Sequence, residues 1–213
     1  MNVKNIDRKY YESKREDLIK FIPPDARHIL DVGCGIGSLG QTLKSVKGRT
    51  VEVIGIECVS EIGEIASKTL DKVFIGDAEK INLPLSEGYF DCIIYGDVLE
   101  HLLDPWELLK KHRPMLKKGG YVIASIPNIA HYRIIKMLKK KEWNYGDSGI
   151  LDKTHLRFFT IKSIERMFKD ADLKVVKIEN KIGGSNLKKF LNKMLSNLLL
   201  DQITEQYVIV AKK

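Results

Sequence analysis

The sequence predicts an α/β fold built around a mostly parallel sheet. Two observations support this prediction. Short apolar segments alternate with segments of helical spacing over residues 28–127. Within them, the stretch HILDVGCGIGSLG at residues 28–40 runs from a buried strand through alternate glycines into a helix. Alternation of strands and helices requires right-handed crossovers, so the carboxyl ends of the strands should meet at one edge of the sheet.

Each element has a local signal in the sequence. Residues 2–21 place apolar and aromatic positions among charges, which predicts an amphipathic helix. Ser60, Asp104 before Pro105, and Thr160 are helix caps. The predicted strands are residues 28–32, 51–56, 72–75, 89–95, 121–126, 173–179 and 204–211. The predicted helices are residues 2–21, a helix from residue 39, and residues 60–70, 106–116, 128–141, 161–171 and 185–200.

The glycine-rich turn after the first strand predicts a ligand site, because a bare backbone and the free N–H groups of a helix start face the same point. Residues 35–40 form a G-x-G-x-x-G pattern, and Glu57 follows at the distance of a dinucleotide-binding acid. Asp31, however, precedes the glycines. A carboxylate would repel a pyrophosphate and attract an ammonium and a sulfonium, which favours S-adenosylmethionine (SAM) over NAD.

At these motifs the chain resembles the class I SAM-dependent methyltransferases, from about residue 28 to residue 127. The resemblance implies a doubly wound, mostly parallel seven-stranded sheet of the Rossmann-like methyltransferase type, with strand seven antiparallel. It implies that residues 33–37 surround the methionine and ribose, that Glu57 holds the ribose hydroxyls and that Asp77 holds the adenine amino group. Residues 90–101 match the fourth strand of that family and the loop after it.

The cofactor implied by this resemblance is SAM, with S-adenosylhomocysteine as product. In related enzymes an N-terminal helix closes over the cofactor, which makes Tyr11 and Arg15 candidates for contact. The expected cofactor-binding residues are Asp31, Gly33, Cys34, Gly35, Gly37, Glu57, Cys58, Asp77, Ala78, Tyr95, Gly96, Asp97 and Tyr11.

Length and composition bound the remaining possibilities. We expect one domain over residues 1–213, with a cap helix at 1–27 and substrate-side insertions at 128–160 and 184–202. No signal peptide and no run of about 20 apolar residues is evident, which predicts a cytoplasmic protein without a spanning helix. The three cysteines lie in or beside apolar segments, which predicts reduced thiols, and no metal-binding spacing appears.

The positive charge is concentrated in the second part of the chain. Residues 1–127 hold 18 Lys and Arg against 19 Asp and Glu, whereas residues 128–213 hold 18 against 9, so the balances are −1 and +9. This asymmetry is compatible with an anionic substrate and equally with a lysine-rich solvated surface. The basic amphipathic pattern at 185–200 would suit peripheral membrane contact, packing on its own domain or a homodimer; monomer and homodimer both stay open.

Histidines are the candidates for proton transfer, since imidazole titrates near working pH. His155 is the first choice, as general base or as a structural tie, and His131 is the second. The segment DKTHLRFFT around His155 is similar to one in a bacterial subgroup related to ubiquinone-type O-methyltransferases. His101 could orient a neighbour, and Arg133 and Arg157 could pair with an anionic group.

The sequence therefore predicts a methyltransferase that acts on a small molecule, at a hydroxyl oxygen of a sugar, lipid-linked or quinone-like acceptor. The segment Asp97-Val98-Leu99 differs from the motifs that hold planar amino groups, which argues against methylation of DNA bases or glutamine. An RNA methyltransferase, a non-catalytic SAM-binding protein and an NAD-dependent oxidoreductase remain as alternatives. No nucleic-acid-binding appendage is evident, so RNA binding would depend on the basic half alone.

Overall fold

The computed structural model describes residues 15–48, 50–183 and 199–213. Tyr11 and most of the helix predicted at residues 185–200 lie outside these described residues. Their predicted roles therefore stay predictions.

The centre of the fold is a seven-stranded sheet in the order β3-β2-β1-β4-β5-β7-β6. β1 to β5 pair in parallel, and β7 is antiparallel to both β5 and β6. The predicted mixed sheet with an antiparallel strand seven is confirmed. The strands are β1 His28–Val32, β2 Glu52–Glu57, β3 Lys72–Ile75, β4 Phe90–Gly96, β5 Leu116–Pro127, β6 Lys174–Ile182 and β7 Thr204–Lys212.

Helices connect the strands and are named in chain order for the described residues. They are α1 Glu16–Ile19, α2 Ser38–Lys47, α3 Ser60–Ala66, α4 Pro105–His112, α5 Tyr132–Lys139, α6 Ile161–Asp170 and α7 Leu200–Ile203. Asp104 caps α4 through its bond from the Glu107 N–H at 3.0 Å, and Thr160 with Ser163 forms a capping box on α6. No helix in the described part of the chain is long and apolar enough to cross a membrane.

The central strands are buried on both faces, as a doubly wound sheet requires. Alternate side chains of β4 show this directly. Ile93 and Tyr95 pack in one apolar cluster, whereas Cys92 and Ile94 pack in a second cluster on the opposite face. The period of two in a strand sends neighbouring residues to opposite layers of helices.

Several boundaries differ from the sequence-based prediction, and two of them lie near the site. β5 begins at Leu116 because the chain turns into the sheet early, with Gly119 at φ +78°. α5 begins at Tyr132 because the fully buried Asn128 is held outside the helix. Its side-chain amide donates to the Asp201 and Thr204 carbonyl oxygens at 2.6 and 2.9 Å. Asn128 thus ties the end of β5 to the start of β7.

Candidate cofactor and acceptor site

The loop after β1 has a backbone that only glycine accepts. Gly33, Gly35 and Gly37 have φ values of +69°, +55° and +84°. A Cβ atom at Gly33 would lie 2.6 Å from Cγ2 of Val98, and one at Gly37 would lie 2.7 Å from Oγ1 of Thr69. Because neither side-chain space nor ordinary backbone angles are available, the loop presents bare backbone at the edge of the sheet.

Glu57, at the end of β2, joins this loop to the next one. Its side chain is buried, and its two carboxylate oxygens accept from the Gly35 N–H at 3.0 Å and from the Val59 N–H at 2.9 Å. The Cys58 thiol is 3.5 Å from the same carboxylate. The acid expected on a ribose therefore also fixes the shape of both loops that border the site.

Asp31, at the end of β1, is a buried carboxyl group 4% exposed to solvent. Burial raises its pKa to about 7, the cation of Arg15 opposes this rise, and the charge of Glu57 adds to it. A cationic ligand beside Asp31 would favour the ionised form, so this carboxyl is suited to a positively charged group.

Arg15 covers the carboxyl end of β4 from the start of α1. Its guanidinium forms an ion pair with Asp97 and donates to the Ser125 hydroxyl at 2.7 Å. Asp97, at φ +59°, also accepts from Ser125 Oγ at 2.5 Å and from the Gln206 amide. A Cβ at Gly96 would lie 3.4 Å from Leu18 of α1, so α1 sits close against this strand end. The expectation that Arg15 lies near the site is consistent with this placement.

The other residues that were predicted to contact the cofactor lie in different surroundings. Asp77 follows β3, accepts from the Glu79 N–H at 3.0 Å and pairs with Lys80, whose hydrogen bond lowers the pKa of Asp77. Ala78 is buried beside it. Tyr95 has its side chain fully buried in the core, where its hydroxyl lies 2.9 Å from Nδ1 of His112. Its contact with the cofactor stays a prediction.

The two thiols near the loops have raised pKa values, which favours their protonated form. Burial raises the pKa of Cys34, and burial together with the charge of Glu57 raises the pKa of Cys58 to about 11. The Cys34 sulfur fills the space in front of Gly55, where a Cβ would lie 2.5 Å from it. Among the described residues no disulfide is formed, as expected.

A cavity of about 570 Å³ opens beside Asp97 on the side away from the glycine loop. Its apolar wall is provided mainly by α5 and by residues 150–151. Four carboxylates and one guanidinium are among its lining groups. They are Asp97, Glu100, Asp152, Glu205 and Arg133. This excess of negative charge does not by itself favour the anionic substrate expected from the net charge of the chain.

Two histidines and a glutamate form the polar wall of this cavity; we call Glu100, His101 and His155 the Glu-His-His cluster. The rings of His101 and His155 are 4.7 Å apart at 72°. One ligand atom from each of the three side chains lies within 4.8 Å of the others. Glu100 is 1% exposed, and burial raises its pKa to about 8. The structure therefore brings the predicted His155 together with His101 and with a glutamate that sequence reasoning missed.

The segment around His155 is held by backbone contacts to the turn Leu99–His101. The N–H groups of Leu156 and Arg157 donate to the Glu100 carbonyl oxygen at 2.8 and 2.9 Å. Arg157 Nε donates to the Leu103 carbonyl oxygen at 3.0 Å, and its guanidinium carbon lies 5.8 Å from the centre of the Trp106 ring. Arg157 thus positions this segment and does not line the cavity.

His131 is not among the residues that line the cavity, so its catalytic role stays a prediction. It is 1% exposed and caps α5, where its ring accepts from the Arg133 N–H at 3.4 Å. Arg133 does line the cavity, and its guanidinium pairs with Glu205 at 3.4 Å. The structure thus supports the order of the two histidines in the sequence analysis only as far as cavity lining goes, with His155 at the wall and His131 away from it.

The residues at the strand ends fit SAM. Val98 occupies the space in which a Cβ of Gly33 would lie, so the loop has to present bare backbone there, and Asp31 places a buried carboxyl group at the site. SAM carries a sulfonium and an ammonium, which such a carboxyl would stabilise. The pyrophosphate of NAD would face the same carboxyl with a like charge.

Comparison with known proteins agrees with this geometry. The family model described as "Methyltransferase domain" matches residues 6–178. An uncharacterized protein of Methanocaldococcus jannaschii is 29% identical over 182 residues, covering 81% of this chain and 83% of that protein. A demethylmenaquinone methyltransferase of Staphylococcus aureus is 26% identical over 176 residues, covering 73% and 71% respectively. The crystal structure of a SAM dependent methyltransferase from Archaeoglobus fulgidus superposes with a TM-score of 0.69 at 21% identity, covering 97% of this chain and 95% of that one.

Proposed function

This chain belongs to the methyltransferase domain family and is a SAM-dependent methyltransferase, and we propose that it methylates a hydroxyl oxygen of a small molecule. The observation that supports this proposal is the cavity of about 570 Å³, which Asp97 and the Glu-His-His cluster both line. Its volume suits one small organic molecule.

The cofactor would be held at the carboxyl ends of β1, β2 and β4. We assign Asp31 to its cationic methionine end, Glu57 to its ribose hydroxyls and Asp77 to its adenine amino group. Gly33, Gly35 and Gly37 provide the bare backbone between them. When bound, SAM supplies a methyl group on a sulfonium, which is already an activated leaving group.

The acceptor would lie in the cavity, with its apolar body against Ile134, Met137 and Leu151. Its hydroxyl would face the Glu-His-His cluster, while Asp97 borders both ligands. Arg15 and α1 cover the strand end from the other side and exclude water. Holding two reactants in line and out of water is the main contribution that a methyltransferase must make.

A hydroxyl acceptor also has to lose its proton, and a neutral amine does not. The cavity wall carries two imidazoles and a carboxyl group close together, which suits an acceptor with a proton to lose. The quinone-like class is supported further by the name of the Staphylococcus aureus relative. The preference for a quinone-like over a sugar or lipid-linked acceptor rests on that name and on the apolar wall.

The test is release of S-adenosylhomocysteine on incubation with SAM and a panel of catechols, hydroquinones, sugars, amines and RNA. We expect turnover with an aromatic hydroxyl acceptor and a loss of at least 100-fold in His155→Ala, because the acceptor proton is no longer handled. The Kd for SAM should stay within a factor of three in this variant.

His28→Gln is the matched control, since His28 lies at the amino end of β1, away from the cavity. It should keep wild-type turnover. Methylation of RNA alone, or SAM binding with no turnover on the whole panel, would contradict the proposal and support the RNA or non-catalytic alternative.

A further inference from the structure

We propose that the Glu-His-His cluster binds a divalent cation such as Zn²⁺, Co²⁺ or Mn²⁺. This inference rests on the proposed function, because the cation would lie where the acceptor hydroxyl is placed. Glu100, His101 and His155 each offer one ligand atom, and these atoms lie within 4.8 Å of one another. Two ligand atoms on a tetrahedral cation are about 3.4 Å apart, so side-chain movements of up to about 1.4 Å would complete the site.

Glu100 supplies an independent observation that points to a ligand. It is 1% exposed, and neither of its carboxylate oxygens has a hydrogen-bond partner among the described residues. An unsatisfied buried carboxyl group is expensive, and its ionised form is more so. A cation in the cluster would satisfy these oxygens.

The hydrogen bonds of both imidazoles prepare them as metal ligands. His155 Nδ1 lies 3.0 Å from the Ile150 carbonyl oxygen, and His101 Nδ1 lies 3.2 Å from the Thr154 carbonyl oxygen. Because a carbonyl oxygen can only accept, each Nδ1 carries the proton in these hydrogen bonds. Donation from the second ring nitrogen to a carbonyl is the usual support of a metal-binding histidine.

The charge of the cavity also favours a cation. Asp152 is buried next to the cluster, where its carboxylate accepts from the Thr154 N–H at 2.8 Å and from the Thr154 hydroxyl at 2.6 Å. Asp97 and Glu205 line the same cavity, and they are paired with Arg15 and Arg133 respectively. The negative charge beside the cluster is therefore that of Asp152, which a cation would offset.

The donor set predicts which cations bind. Two imidazole nitrogens and one carboxylate suit Zn²⁺, Co²⁺ and Mn²⁺, whereas Mg²⁺ prefers oxygen ligands alone. Three protein ligands leave positions open toward the cavity, as in catalytic metal sites. An acceptor hydroxyl bound there would be more acidic, so its proton could pass to bulk water, and His155 would act as a metal ligand.

The test is titration of tag-free, chelator-treated protein with Co²⁺ and Zn²⁺ by calorimetry and visible absorption. We expect one cation per chain, no thiolate charge-transfer band, and at least a tenfold loss of affinity in Glu100→Gln and in His155→Gln. His28→Gln should bind the cation like wild type. SAM titration of the same variants verifies that they are folded.

Three results would overturn the site: no Co²⁺ or Zn²⁺ binding to the wild type, equal affinity in wild type and His155→Gln, or a thiolate band from cysteine ligation. The thiolate band is measured on the wild type, so this result counts even if a variant does not fold. Metal binding without methylation of any hydroxyl would defeat the proposed function alone. Methylation by chelator-treated enzyme that binds no cation would defeat this inference alone.

Discussion

Replacing Asp31 by Asn should change how stability depends on pH. In the folded protein burial raises the pKa of Asp31 to about 7, from a reference value of 3.8. Between these two pH values the folded protein holds a proton that the unfolded chain has released. The stabilising contribution is therefore complete below pH 3.8, is lost as pH rises, and is absent above pH of about 7.

The size of this effect follows from the difference in pKa. Each pKa unit corresponds to about 1.4 kcal/mol, so a rise of about three units gives roughly 4 kcal/mol as an upper value. Asn fills the same volume and does not titrate. Urea denaturation at pH 4.5, 5.5, 6.5 and 7.5 should show the wild type losing stability relative to Asp31→Asn by several kcal/mol across this range.

The exposed Asp25 provides the control, because Asp25→Asn should follow the wild type at every pH. A difference between Asp31→Asn and wild type that stays constant over the whole range would refute the reasoning. It would mean that Asp31 is ionised in the folded protein at all these pH values. In that case its negative charge would be balanced within the chain, and a cationic ligand would have less to gain from it.

Three further substitutions test other parts of the site. Tyr95→Phe removes the hydrogen bond to the buried His112 and should cost about 1–2 kcal/mol in urea denaturation while leaving the Kd for SAM unchanged; a weaker Kd would place Tyr95 at the cofactor after all. Gly33→Ala should weaken SAM binding at least tenfold by calorimetry, because its Cβ would lie 2.6 Å from Val98. Gly48 also has a positive φ, but a Cβ added there would have no atom within 4 Å. Equal losses of SAM affinity in Gly33→Ala and Gly48→Ala would therefore show that the contact with Val98 is irrelevant. Arg157→Ala should lower turnover at least tenfold with an unchanged Kd for SAM, because the segment that carries His155 loses its hydrogen bond to Leu103. Unchanged turnover would show that this hydrogen bond is not needed to hold the segment.

The cofactor side of the site could be predicted from the sequence because its determinants are local. Asp31, the three glycines and Glu57 lie at strand ends that periodicity alone identifies. The parallel sheet then brings those ends together, whatever the details of packing. Tyr95 shows the limit of this logic, since a strand end fixes a residue's position along the sheet and not the face to which its side chain turns.

The acceptor side could not be predicted to the same extent because it depends on long-range docking. Glu100 and His155 are 55 positions apart, and two backbone hydrogen bonds to the Glu100 carbonyl oxygen bring them together. No spacing rule captures this arrangement, so the sequence alone gives no sign that these side chains meet. His131 has the same composition signal as His155, but its ring is used to cap α5.

The central claim is that the carboxyl ends of β1 and β2 bind SAM through Asp31 and Glu57. The most direct measurement is calorimetric titration of the wild type, Asp31→Ala and Glu57→Ala with SAM, S-adenosylhomocysteine and NAD. The account predicts micromolar binding of the two adenosyl ligands, no binding of NAD, and weaker SAM binding in both variants. Binding of NAD, or SAM binding that neither substitution weakens, would contradict it.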